Sequence, residues 1–279
     1  MQPNEAAMEA FGLSLALFVV GLAASLYGSL VGLGGGFIAL PVLRLFFGLP
    51  TTEVAGASIV MVTVSSLASG SAFLRARRID VPLALSFAIF GIPGSIIGAA
   101  LSHRIPTKGF DLAYAAMLFV FATQLILGKG VKADGSPRFA PFSTERKFTD
   151  RDGKTWRYRV SYPVAAVTGF VVGIISSLFG IGGGVVQVPA MIGLFGIPAH
   201  IATATSAGII AIVGLSGTFA HMAHGDVHPV YAVPLALGAL VGGQVGPLIN
   251  RRISSPALLK ALAAALLLAA VGLAAKHIA

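Results

Sequence analysis

The chain has 279 residues, 56% of them hydrophobic and 10% charged, with a mean hydropathy of +0.89. Soluble globular proteins carry about 25% charged residues, so the composition excludes a soluble domain and predicts an all-helical polytopic membrane protein. Cysteine is absent, which excludes disulfides, thiolate catalysis and Cys-ligated metal, and the formal charge of +9 lies mostly in loops, where it reads as membrane topology rather than nucleic-acid binding.

A membrane helix needs about 20 mostly apolar residues. The N-terminal MQPNEAAMEA has no Lys or Arg. It lacks the basic region of a signal peptide, so the apolar tract after it is expected to stay as a helix. Residues 10–31 supply the first span, and residues 37–49 form a short limb, closed by Gly48 and Pro50. Residues 53–73, 81–102 and 108–128 form three further spans. Residues 53–73 are rich in hydroxyls, and 81–102 carry Gly91, Gly94 and Gly98 at a spacing that lets helices approach closely in lipid. Residues 129–162 are the one long polar segment, with nine Lys/Arg against four Asp/Glu. Within it, TDRDGKTWRYRV predicts a hairpin turning at Asp152-Gly153. Trp156, Tyr158 and Tyr162 are expected in a headgroup-level belt. The pattern then repeats, with spans at 163–180, 201–221, 229–250 and 256–275 and a second short limb at 185–198.

The repeat is in register. GSLVGLGGGFIALPVL at 28–43 and SSLFGIGGGVVQVPAM at 176–191 are offset by 148 residues, as are Ser58 and Ser206, Gly94 and Gly242, and Arg104 and Arg252. The predicted organisation is therefore two homologous halves, 1–128 and 163–279, joined by a basic linker, 129–162. Each half has four long transmembrane helices plus a short half-helix broken from its neighbour by glycines. If the limbs do not reverse the chain, there are eight crossings and Lys/Arg divide 13 to 6 between the two faces. If each break turns the chain round, there are ten passes and the division is 15 to 4. Both place the central loop in the cytoplasm. The second is inverted repeats, and the charge count favours it by two residues.

Glycine and proline are poor helix formers, and a backbone opened inside a membrane is tolerated where it is buried in protein or lines a wet cavity. Successive N–H groups of Gly34, Gly35 and Gly36, and of Gly182, Gly183 and Gly184, each followed by a helix start, make a concave anion site. The competing reading is tight helix packing alone; the pairing of the runs, each with a proline at the same spacing, favours a site. Neither run is a nucleotide motif: no Lys follows, and Phe37 and Val185 stand where a GxGxxG pattern needs glycine. Hydroxyls of Ser29, Ser177, Ser58, Thr205 and Ser206 could donate to an oxyanion, against the commoner role of such hydroxyls in membrane helices, bonding their own backbone or a neighbouring helix. Gln187 and Gln244 stand where the first half has Ala39 and Ile96, which makes them candidates for substrate choice. His221, His224, Asp226 and His228 cluster near the end of the sixth long span. They allow three readings: a metal site, although no fixed metal spacing is matched; proton coupling at His221, His224 and Asp226; or a solvated loop. Arg75, Arg77 and Arg78 read as topology determinants. No long span carries a mid-span carboxylate, which favours an anionic or neutral substrate over a cation, and no catalytic constellation or cofactor motif is evident.

The paired motifs GLGGGFIALP and GIGGGVVQVP, the GLPTTEVAGAS and GIPAHIATATS segments after them, and the Gly-rich third and seventh spans resemble the TauE/SafE family of sulfite exporters over nearly the whole chain. The resemblance implies export of sulfite or small organosulfonates from the bacterial cytoplasm. The expected protein is an inner-membrane transporter of small sulfur-containing anions such as sulfoacetate, working by alternating access, with H+ or Na+ as the candidate coupling ion. Beside that stand two other readings: a channel-like anion pore, and a non-transporting scaffold whose basic loop binds a partner.

Overall fold

The computed structural model describes residues 3–127, 142–149, 153, 155–249 and 256–276. Among these residues, ten helices and one hairpin follow in chain order: α1 (Pro3–Val31), α2 (Gly36–Phe46), α3 (Thr51–Arg75), α4 (Val81–Ser102), α5 (Thr107–Leu127), β1 (Ser143–Thr149), β2 (Thr155–Ser161), α6 (Tyr162–Phe179), α7 (Gly184–Phe195), α8 (Ala199–Ala223), α9 (Pro229–Ile249) and α10 (Pro256–Ala275). Helix ends fall where the chain dictates. Pro50 and Pro198 stand just before α3 and α8, Asp80 caps α4 by accepting from the Leu83 N–H at 3.1 Å, and Gly180 and Gly196 close α6 and α7 in left-handed geometry.

Among the described residues, six helices are long and apolar enough to cross a membrane: α1, α3, α4, α6, α8 and α9. The apolar helices α2, α7 and 263–275 of α10 are shorter. The chain is thus a mostly helical, multi-pass membrane protein. α3 and α8 are the most buried of the six and form its centre. They run antiparallel: Gly70 faces Ala207, Gly214 faces Thr63 and Gly56 meets Asp226. Around them, α4 lies along α6 and α9 along α1, each pair parallel.

The glycine spacing of the third and seventh spans sets those two contacts. A Cβ on Gly94 or Gly98 would come within 2.3 Å of the Phe170 or Ile174 carbonyl, and one on Gly238 or Gly242 within 2.4 Å of Phe18 or Leu22. Backbone therefore packs on backbone, as small residues in lipid permit.

α6 and α8 run in the same direction. His221 near the end of α8 reaches the Ser177 carbonyl near the end of α6, while His200 at the start of α8 meets Trp156, just before α6. The limb α7 must therefore bring the chain back. It starts at Gly184, level with Ile210 midway along α8, and ends at Phe195 against Phe87 near the start of α4.

The hairpin forms as the alternation in TWRYRV predicts, with β1 and β2 antiparallel and Arg146 opposite Tyr158. Of its turn, Gly153 is described, at φ +77, and Asp152 lies outside the described residues, as do Arg252 and, in the linker, 129–141, 150, 151 and 154. The expected aromatic belt needs correction at Tyr158. Its ring is buried and its hydroxyl donates to Asp80, because β2 is drawn down onto the α3–α4 turn. Trp156 packs edge-on to His200, and the Tyr162 hydroxyl accepts from Arg146 at 3.1 Å.

Candidate functional site

The two glycine breaks touch. A Cβ on Gly36 would lie 2.5 Å from the Gly180 carbonyl oxygen and 2.7 Å from Ile181 Cα. One on Gly184 would lie 2.6 Å from Leu33 Cα and 2.7 Å from the Gly32 oxygen. Gly35 and Gly183 are the N-caps of α2 and α7 with φ of +92 and +72, a region closed to most side chains. Neither can offer a side-chain oxygen, so the first-turn N–H groups of both helices have no side-chain cap. Two uncapped helix N-termini therefore sit together midway along α3 and α8, where their dipoles favour negative charge. The close approach makes a prediction. Gly36→Ala should cost about 1–3 kcal/mol, because its new methyl meets backbone rather than a flexible chain end. Gly12→Ala, with nothing within 4 Å, should be neutral or gain up to about 1 kcal/mol. Thermal unfolding in detergent measures both.

Two apolar side chains lie over the breaks. Val62 of α3 packs on Gly34, Gly36 and Gly182, and Ile210 of α8 packs on Gly182 and Gly184. Val62 and Ile210 are themselves related by the 148-residue offset. The sequence reading missed both, since a valine or isoleucine in an apolar span carries no local signal. A small cavity of about 10 Å³ adjoins Gly182 and Gln187, between Gly169, Val172, Gly173, Ser176 and Ile209. That is room for roughly one water.

Gln187 is 1% exposed, and among the described residues neither its Oε1 nor its Nε2 has a partner. Ser177, Ser206, Ser65 and Ser66 also have buried hydroxyls without a partner, and Ser66 Oγ lies 3.5 Å from where a Gly34 Cβ would be. Ser58 donates to the Gly180 carbonyl at 2.7 Å and so braces the second break. Ser29 is occupied otherwise, donating to the Leu26 carbonyl at 3.1 Å and reaching that of Gly242 at 3.3 Å. Thr205 Oγ1 accepts from the Asp80 N–H at 3.2 Å, toward the hairpin. Gln244 is exposed on α9, on the side turned away from Gly242 and Gly243, so the fold does not bring it to the breaks. An isolated amide in an apolar span gives no sign of which way it faces.

The solvated-loop reading of the histidine cluster fails for its two central members. His221 lies in the last turn of α8, fully buried, and Asp226 is 4% exposed. His221 Nδ1 is 2.7 Å from Asp226 Oδ2, and its Nε2 is 2.8 Å from the Ser177 carbonyl. His103, at the end of α4 and absent from the sequence reading, brings its Nε2 to 3.0 Å from the same Oδ2. Burial pushes the Asp226 carboxyl up, but the hydrogen bonds and charges of His221 and then His103 outweigh it and hold it below the ordinary carboxylate value. This pairing therefore stabilises the fold above the ordinary carboxylate range and is lost as pH falls below it. His224 is exposed and bonds its own helix at Ala220. No group of three or more metal-ligating side chains occurs among the described residues.

The comparisons agree with this membrane architecture. The family model for the sulfite exporter TauE/SafE matches residues 17–273. The probable membrane transporter protein YunE of Bacillus subtilis is 35% identical over 247 residues, covering 86% of this chain and 89% of the relative. A probable membrane transporter protein of Methanocaldococcus jannaschii is 25% identical over 255 residues, covering 85% and 86%. No solved structure matches. Six membrane-capable helices among the described residues, and a family model that runs from Leu17, midway along α1, to Leu273 near the end of α10, make this chain a member of the TauE/SafE sulfite exporter family.

Proposed function

We propose that this protein carries small sulfur-containing anions, sulfite or organosulfonates such as sulfoacetate, out of the bacterial cytoplasm across the inner membrane by alternating access. The observation that carries the proposal is the meeting of the α2 and α7 N-termini beside the unpartnered amide of Gln187. Backbone N–H groups of Gly34–Gly36 and Gly182–Gly184 would hold the oxyanion, with Gln187, Ser206 and Ser66 adding donors. Midplane sites at broken helices bind anions in this way without a buried cation. Ser58 would act on the break rather than on the anion, through the Gly180 carbonyl.

Val62 and Ile210 leave no room for an anion at the breaks as they stand. The site opens when α3 and α8 withdraw from the limbs, which suits a carrier better than a standing pore. The two halves, 1–128 and 163–279, would rock against each other. The antiparallel run of their corresponding central helices α3 and α8, and the return of the chain through α7, support inverted repeats and ten passes. The 15-to-4 division of Lys/Arg then places 129–162 in the cytoplasm.

Counterflow in proteoliposomes tests this. Labelled sulfite and sulfoacetate should enter vesicles preloaded with unlabelled anion, saturably, while taurine, with its compensating ammonium, should enter more slowly. Flux that rises linearly with concentration and ignores preloading would make the protein a pore. Absence of flux with sulfite, sulfoacetate and sulfate would leave the scaffold reading.

A further inference from the structure

At the end of α8 opposite the hairpin, the hydrogen-bond accounting around His221 does not close without an extra proton. The Ser177 carbonyl can only accept, so His221 Nε2 at 2.8 Å carries a hydrogen. A carboxylate oxygen can only accept, so Nδ1 at 2.7 Å from Asp226 Oδ2 carries one as well. A ring that donates from both nitrogens is an imidazolium. His103 donates to the same Oδ2 from the exposed side, and its ring stacks on His224 at 4.9 Å, so a path from the buried pair to water runs through His103.

We propose that His221 and Asp226 together hold one exchangeable proton, which His103 passes to and from water, and that its departure releases the second glycine break, so that one proton moves with each transport cycle. The proton site stands on the geometry alone; its coupling to anion movement rests on the transport reading above.

The physical link is short. Neutral imidazole has one N–H, so after the proton leaves, His221 can satisfy Asp226 or Ser177 but not both. The Ser177 carbonyl lies in the last turn of α6 and also takes the Gly180 N–H at 3.3 Å. Gly180 is in turn held by Ser58 and packs on Ala55. The protonated pair therefore ties the end of α8 to the end of α6 and keeps the break in place; the deprotonated pair lets one of the two ties go. The other charged and titratable groups near the pair are few. From the α8–α9 turn and α3, His228 faces Glu53 at 3.6 Å and Tyr231 edge-on; from the end of α4 come His103 and the exposed Arg104; α8 adds His224; α6 contributes only Ser177. Only His103 and His221 bond Asp226 among the described residues, so the pair is the place where a proton changes the local charge.

Two measurements on the full-length protein test this. In detergent, 15N-histidine NMR at neutral pH should show His221, assigned by its loss in His221→Gln, with hydrogens on both ring nitrogens. In Asp226→Asn it should show one, because an amide can donate to Nδ1. A singly protonated ring in the wild type overturns the proton site. In proteoliposomes, with whichever of sulfite and sulfoacetate counterflows faster as the probe, a one-unit pH gradient stores about 1.4 kcal/mol per proton and should drive about tenfold accumulation of the anion. An entrapped pH dye should report the proton, and Asp226→Asn should abolish the gradient response. Anion flux without proton movement overturns the coupling and leaves transport standing. No flux of either anion removes transport and coupling together, while the NMR result still decides the proton site.

Discussion

Replacing Asp80 with alanine should lower the stability of the protein by about 3–5 kcal/mol, the usual cost of breaking a buried ion pair from one side. Asp80 is 1% exposed and carries four loads at once. Its Oδ1 caps α4 at Leu83 and takes Arg146 Nη2 at 2.8 Å; its Oδ2 takes Arg146 Nε at 3.0 Å and the Tyr158 hydroxyl. Without the carboxylate, a guanidinium only 20% exposed keeps its charge and loses its bidentate partner. The first turn of α4 loses its cap, and the buried Tyr158 hydroxyl loses its acceptor. Burial and the neighbouring carboxylate hold the Tyr158 phenol neutral well above its ordinary range, so it remains a donor at every pH of interest. The effect should reach the hairpin, since Arg146 and Tyr158 lie opposite each other on β1 and β2. Asp80→Asn, which keeps the cap, should fall between the two. Glu145→Ala is the control: its pair with Arg157 spans 3.8 Å with both side chains more than half exposed, and should change stability by no more than about 0.5 kcal/mol. Denaturant or thermal unfolding in detergent measures all three. A loss below about 1 kcal/mol for Asp80→Ala would mean that the hairpin does not dock on α4 in the membrane-extracted protein.

Gln187→Leu should do something less common: stabilise the protein and stop it working. An amide buried with neither end partnered costs about 1–3 kcal/mol against an apolar side chain of similar size. Leucine at 187 removes that cost, and because nothing else bonds the amide among the described residues, no partner is orphaned in return. The melting temperature should rise by a few degrees. Flux of sulfite or sulfoacetate should fall about tenfold or more, equivalent to about 1.4 kcal/mol of lost binding. Gln187→Glu, placing a like charge beside the uncapped α7 N-terminus, should be inactive too, through repulsion of the anion. If Gln187→Leu transports normally, the amide is no ligand and the site lies elsewhere along the breaks. If it melts earlier instead, Gln187 serves packing, and the stability argument fails.

By itself the sequence determined the helices and the places where they break. The spans at 53–73, 81–102 and 229–250 correspond to α3, α4 and α9 to within two residues at each end, because hydropathy, proline and glycine act locally. The breaks at Gly34–Gly36 and Gly182–Gly184 were visible twice for the same reason, and so was the hairpin, from alternation at 155–160. What touches what was decided only by the tertiary structure. Val62 and Ile210 come to lie over glycines that precede them by 26 to 28 residues in each half. Thr205, a candidate ligand, is spent on the Asp80 backbone, while Asp80 itself is claimed by an arginine 66 positions away. His103 joins a cluster whose other members lie more than 100 residues later, and Gln244 turns outward although it departs from the repeat just as the buried Gln187 does. Such pairings depend on which faces of distant helices meet. Helix periodicity gives each face its composition but not its neighbour, so a polar side chain in an apolar span has a partner, or lacks one, only once the spans are packed.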